Sequence, residues 1–256
     1  MARLPRRLGH AEEATLGEHL DELRNRLFVM IGAILLGAAV AFVFHGHLLN
    51  WLNRPLPADH KRLLAIGIAE PFTVTLTVCI YAGFVLALPV VLWQLWLFFA
   101  PAVDPAAERK VLGLAAAAVV LAAAGVAFGY WILLPRAVHF LTNYDNRHFV
   151  HLPQAKSYYN FVVTVLVGIV LVFQVPLVVL GLVSLGVLSS KGLRRRRRVG
   201  YFVTAVIALA LPGPDPVTTF LELLPMWALF EGSIWLAALF ERRQARTAPA
   251  SATLGG

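Results

Sequence analysis

Apolar residues gather in six runs along the chain, and the polar stretches between them are short. Runs longer than about 18 residues read as membrane-spanning helices rather than buried core helices. The first predicted span covers Leu27–Phe44. The second lies within Pro71–Ala100 and would reach about 45 Å as a helix. That exceeds a hydrocarbon core of ~30 Å, so tilt, a kink at Pro89 or a helical extension beyond the lipid is expected. The third covers Val111–Leu134 and is expected to stop at Pro135, and the fourth covers Phe161–Leu188. The fifth, Val199–Leu211, has only 13 residues, about 20 Å of helix. The sixth reads as Pro225–Phe240, with a polar approach from Pro212 through Glu222. The last two helices therefore form a short hairpin that must thin the membrane or lie deep in it.

This pattern predicts an all-α polytopic membrane protein. Residues 1–242 form one six-helix membrane domain, and 243–256 form a disordered tail. Composition agrees. Of 256 residues 59% are hydrophobic and 14% charged, with mean hydropathy +0.73. Soluble domains carry about 25% charged residues, so this chain cannot cover an ordinary water-facing surface. The net charge of +8 invites a nucleic-acid reading, but the charges cluster at the ends of apolar runs. Anchoring and orientation in a bilayer explain it better, and no nucleic-acid partner is expected. The run Arg194–Arg198 accordingly reads as a stop signal and phospholipid anchor. The single Cys79 lies in an apolar run, which leaves no cysteine framework or cysteine metal site.

Lys and Arg counts set the expected orientation. With a cytoplasmic N-terminus, that side receives 16 basic residues, in 1–26, 109–110, 191–198 and 242–246, and the other side receives 6. Both termini are therefore expected in the cytoplasm. Arg6-Arg7 ahead of an apolar run resembles a paired-arginine export signal. Five acidic residues and a long polar stretch intervene before Leu27, so a retained anchor is expected instead.

The spacings of HExxH, GxSxG and the P-loop do not occur. No enzymatic activity, cofactor or metal is expected, and His45 and His47 read as interfacial polar residues. Gln174 is the one strong polar residue near a span centre, with 13 residues of the fourth span on one side and 14 on the other. Its amide needs a partner helix, a backbone carbonyl or water.

Two polar stretches carry the candidate chemistry: HLDELRNR (His19–Arg26) before the first span, and ERK (Glu108–Lys110) between the second and third. Both put carboxylates among basic residues at one membrane face. A carboxylate there can take an incoming guanidinium in a two-point fork, which suggests recognition of something cationic. The plain alternative is a salt bridge from Glu22 or Glu108 to Arg24, Arg26 or Arg109.

Over roughly Leu16–Arg243 the chain resembles the TatC family of twin-arginine protein translocases. The resemblance rests on HLDELRNR at 19–26, Pro55 and LPVVLWQLWLFFAPAV at 88–103. It continues through ERK at 108–110, GVAFGYWILLP at 125–135, FQVPL at 173–177, PGPD at 212–215 and LPMWALFE at 224–231. It implies a concave six-helix receptor for twin-arginine signal peptides of folded proteins, driven by the proton-motive force. The partners implied are single-span TatA/TatB-type subunits, membrane lipid and further copies within a larger complex. The family's recognition carboxylates fall on Glu22 and Glu108, and neighbouring recognition positions on His19, Leu20, Arg24 and Arg26. Phe98, Pro101 and Arg109 match positions close to that site. Gln174 departs from the family, which often carries an acidic residue there. A small-molecule or ion transporter is the alternative class, but few ionisable residues fall near span centres.

Overall fold

The computed structural model describes residues 16–57, 63–99, 108–144, 153–184, 186–210 and 216–247. Ten α-helices and one π-helical turn account for nearly all of them. Leu16–Val43 forms α1, His45–Leu52 α2, Glu70–Phe99 α3 and Glu108–Phe128 α4. The π turn Gly129–Leu133 leads into α5 (Leu134–Asn143), followed by α6 (Ala155–Phe173) and α7 (Val175–Ser184). Ser190–Arg195 forms α8, Arg197–Ala210 α9 and Pro216–Thr247 α10. Among the described residues five stretches are long and apolar enough to cross a bilayer: Leu20–Val43, Glu70–Phe98, Ala115–Asn143, Ala155–Ser184 and Thr218–Arg242. α9, with 14 residues, spans only about 21 Å and matches the short fifth span.

The HLDELRNR stretch is the first part of α1 itself. Its Glu, Leu and Arg residues favour helix, and the i,i+4 pair Glu22–Arg26 supports that turn. α3 runs through Pro89 without interruption.

Three expectations need correction. The third span does not end at Pro135. The π turn shifts the hydrogen-bond register ahead of it, and Pro135 enters the first turn of α5, where its missing N–H costs nothing. The sixth helix is not short: it begins at Pro216 and carries Pro225 in its interior, over 32 residues. Pro216 is suited to a first helical turn, and the segment read as a polar approach is helical. Glu222 therefore lies within this helix, 1% exposed. The predicted tail is also partly ordered, since α10 continues to Thr247 through the helix-favouring sequence ERRQART. Residues from 248 lie outside the described set.

The fourth span runs from Ala155 to Ser184 and breaks at Gln174. Pro176 has no N–H to continue the α-ladder. The backbone responds with a tighter turn, in which Gln174 N–H donates to the Leu171 carbonyl at 3.0 Å.

Burial orders the bundle. The most apolar window of the fourth span is 67% buried, whereas that of α1 is 11% buried. The fourth span is thus the centre and α1 a peripheral helix. The largest core cluster joins α2, α5, α6 and the π turn through Leu52, Leu133, Leu134, Val162, Val165 and Ile169. Two tyrosines satisfy carbonyls at the end of α2. Tyr130 donates to Trp51 O at 2.8 Å, and Tyr158 to Leu52 O at 2.7 Å.

Glu70, at the start of α3, clasps two loops at that same end. Its Oε2 accepts from the backbone N–H groups of Ile66 (2.9 Å) and Gly67 (3.1 Å). Its Oε1 accepts from Lys156 N (3.0 Å) and Gln154 Nε2 (3.2 Å).

α1 meets α3 by close backbone approach. A Cβ added at Gly83 would lie 2.3 Å from Ala38 N and 2.8 Å from Ile34 O, and one added at Gly37 would lie 2.8 Å from Gly83 O. Only glycine permits this spacing.

Candidate functional site

The glycine contact fixes the register of α1 on α3, and that register builds the polar site. The helices are antiparallel, so 11 residues back along α1 from Gly37 and 11 forward along α3 from Gly83 lead to Arg26 and Gln94. Eleven residues make about three turns, which returns both chains to the same facing side. There Arg26 Nη1 donates to Gln94 Oε1 at 3.2 Å.

Arg26 also joins Glu22, one turn earlier on α1. Its Nε donates to Glu22 Oε1 at 3.0 Å, and its Nη2 pairs with the same oxygen. The side chains of Arg26 and Glu22 are 19% and 28% exposed, so the pair sits at a half-covered edge rather than in the core. The salt-bridge alternative for Glu22 is thus present in the fold, with Arg26 as partner.

The other predicted residues divide. Leu20 is 64% exposed. Arg24 lies over the Phe28 ring, 5.6 Å from its centroid. Phe98, half-buried, lies in the last turn of α3, on the side of the bundle where α1 begins. Glu108 and Arg109 open α4, and His19 lies in the first turn of α1, but their side chains are not among those described. Pro101 lies outside the described residues.

Three residues that sequence reasoning passed over complete this end of the bundle. Gln94 interrupts the apolar run of α3. Its type gives no sign of what it faces until the register is known. Glu231 on α10 holds the start of α9 by accepting from Arg197 Nη2 at 2.9 Å and from Tyr201 OH at 2.5 Å. Glu241 does the same for α8, accepting from Ser190 N at 2.8 Å. Arg194 lies over Trp235, 5.7 Å from the ring centroid.

Gln174 is 3% exposed at the break between α6 and α7. Among the described residues its Nε2 reaches only the Val170 carbonyl, at 3.4 Å, and its buried Oε1 has no partner. The amide is thus enclosed by the bundle and weakly satisfied. Among the described residues no three metal-ligating side chains converge.

The family model described as Sec-independent protein translocase protein (TatC) matches residues 18–225. The TatC protein of Carboxydothermus hydrogenoformans is 31% identical over 231 residues, covering 90% of this chain and 95% of its own. TatCd of Bacillus subtilis is 32% identical over 241 residues, covering 94% and 98%. The crystal structure of a twin arginine translocase receptor, TatC, superposes with a TM-score of 0.74 at 30% identity, covering 87% of this chain and 99% of that one. This chain belongs to the TatC family, and it is a multi-pass membrane protein of the Sec-independent translocase.

Proposed function

We propose that this chain is the receptor that takes paired-arginine signal peptides, with Glu22 and Glu108 as the carboxylates that hold the two guanidinium groups. The observation that carries this reading is that Glu22 already holds a guanidinium, that of Arg26, beside a neutral acceptor from a second helix. Glu108, first residue of α4, starts a helix at the same end of the bundle. Leu20, Leu23 and Phe28 give the first turns of α1 exposed apolar surface suited to the apolar part of a signal peptide.

Orientation follows. Arg24, Arg26, Lys191, Arg194–Arg198 and Arg242 lie at the site end, and Arg54, Arg136 and Lys156 at the opposite end. The site end therefore faces the cytoplasm, where unexported cargo is made. Single-span TatA/TatB-type partners with short apolar stretches find a matched membrane thickness beside α9. The chain contributes binding and shape rather than covalent chemistry, and the proton-motive force drives transport. Site-specific crosslinking of a paired-arginine signal peptide to this protein in membranes tests the reading. Crosslinks should map to positions around Glu22, Gln94 and Glu108. Crosslinks confined to the opposite end overturn it.

Gln174 has a separate role in this scheme, as an intramembrane polar contact used during transport. Its single hydrogen bond is long, so its loss costs at most about 1 kcal/mol of stability. Gln174→Leu should therefore insert and fold normally yet export folded cargo poorly, while Gln174→Glu should retain export. Full export by the Leu variant would make Gln174 a passive filler of the helix break.

A further inference from the structure

A cation at the centre of a cation-recognising site needs an explanation. Arg26 cannot attract a guanidinium, yet it sits on the carboxylate assigned to that task, and two of its nitrogens point at one oxygen of Glu22. Its third contact is to a neutral amide on another helix, Gln94. We infer that Arg26 is a built-in competitor: it pairs with Glu22 and must give way before a signal arginine binds. This deepens the reading above and rests on Glu22 being the receiving carboxylate.

The geometry supports displacement. Both side chains remain partly exposed, at 19% and 28%, so neither charge is stranded in a dry interior when the pair opens. Gln94 Oε1 can keep one N–H of Arg26 while the Glu22 contacts are released. No net charge need be buried at any stage. Arg24, the other nearby guanidinium, is committed to the Phe28 ring, which leaves Arg26 as the described cation on Glu22. An occupied carboxylate also has a use. A Lys-bearing or single-arginine segment, with fewer contacts, fails to pay back the displacement and stays below useful occupancy.

An internal competitor weakens every ligand of the same carboxylate by one common factor, one plus the equilibrium constant of the internal pair. For a partly exposed i,i+4 ion pair that factor is roughly two- to fivefold. A ligand-contacting or purely structural Arg26 predicts the opposite sign.

The test is a titration of fluorescent peptides against the full chain in nanodiscs. One peptide carries the arginine pair, and the other has Arg-Lys in its place. Arg26→Gln should tighten both peptides by the same factor, roughly two- to fivefold. Arg26→Lys, which keeps the charge but loses the fork, should fall between wild type and Arg26→Gln. If Arg26→Gln fails to fold, tighter binding by Arg26→Lys alone still supports displacement. Unchanged or weaker binding in the folded Arg26 variants overturns the inference, as does tightening of one peptide only. Glu22→Gln separates the two readings. Wild-type affinity there removes Glu22 from recognition altogether, whereas lost affinity without any gain from the Arg26 variants removes only the competitor.

Discussion

The double variant Glu22→Ala, Glu108→Ala should not bind a paired-arginine signal peptide detectably. Each guanidinium–carboxylate contact contributes about 1.5–3 kcal/mol when well formed, and less at a wet interface. Removing two contacts of roughly 1–2 kcal/mol each lowers affinity on the order of 100-fold. Either single replacement should cost about tenfold, since each leaves one fork intact. Changing one peptide arginine to Lys should cost wild type less than Glu22→Ala does, because the charge stays and only the two-point geometry goes. Equilibrium titration in nanodiscs reads all of these. The folds of the variants can be compared through detergent melting, where Glu22→Ala should be nearly silent: its pair with Arg26 is partly exposed and such pairs contribute little. Binding that survives the double replacement would remove both carboxylates from recognition.

How far the sequence discloses this protein depends on which force sets each feature. Apolar runs disclosed the spans because lipid demands them, and the short α9 was visible for the same reason. Prolines misled. Pro135 and Pro225 read as boundaries, yet one enters the first turn of a new helix after a π turn and the other lies inside α10. Pro176 does break its helix, at Gln174. Within a bundle, neighbouring helices and local register shifts re-satisfy the backbone groups a proline frees, so position along the chain alone does not decide the outcome. Glu222 was assigned to a polar approach because charge is costly in lipid. The fold instead encloses it in protein, where hydropathy gives no information.

The site shows the same division. Glu22 and Arg26 are four apart on a helix-favouring stretch, so their pairing was among the alternatives open from sequence. Gln94 was not accessible that way. Its meeting with Arg26 requires the antiparallel register of α1 on α3, and that register is set 11 residues away by two glycines with no polar chemistry of their own.

That dependence yields the second large effect: Gly83→Leu should detach α1 from α3 and, with it, the recognition site. Helices in lipid associate through close packing rather than water exclusion. The backbone approach at Gly37 and Gly83 is therefore a main source of adhesion for a helix whose central window is only 11% buried. A side chain at Gly83 must displace backbone, since the nearest atoms are Ala38 N at 2.3 Å and Ala38 Cα at 2.7 Å. Overpacking of this kind costs about 1–3 kcal/mol or more. The shift is carried three turns along the interface to Arg26 and Gln94, so peptide affinity should fall with every recognition side chain still present. Gly32→Leu is the control on the same helix, because a Cβ there meets nothing within 4 Å. Detergent melting and peptide titration should both separate the two variants, with Gly32→Leu close to wild type in each. If Gly83→Leu melts and binds like Gly32→Leu, the glycine contact sets neither the packing of α1 nor the register that forms the site.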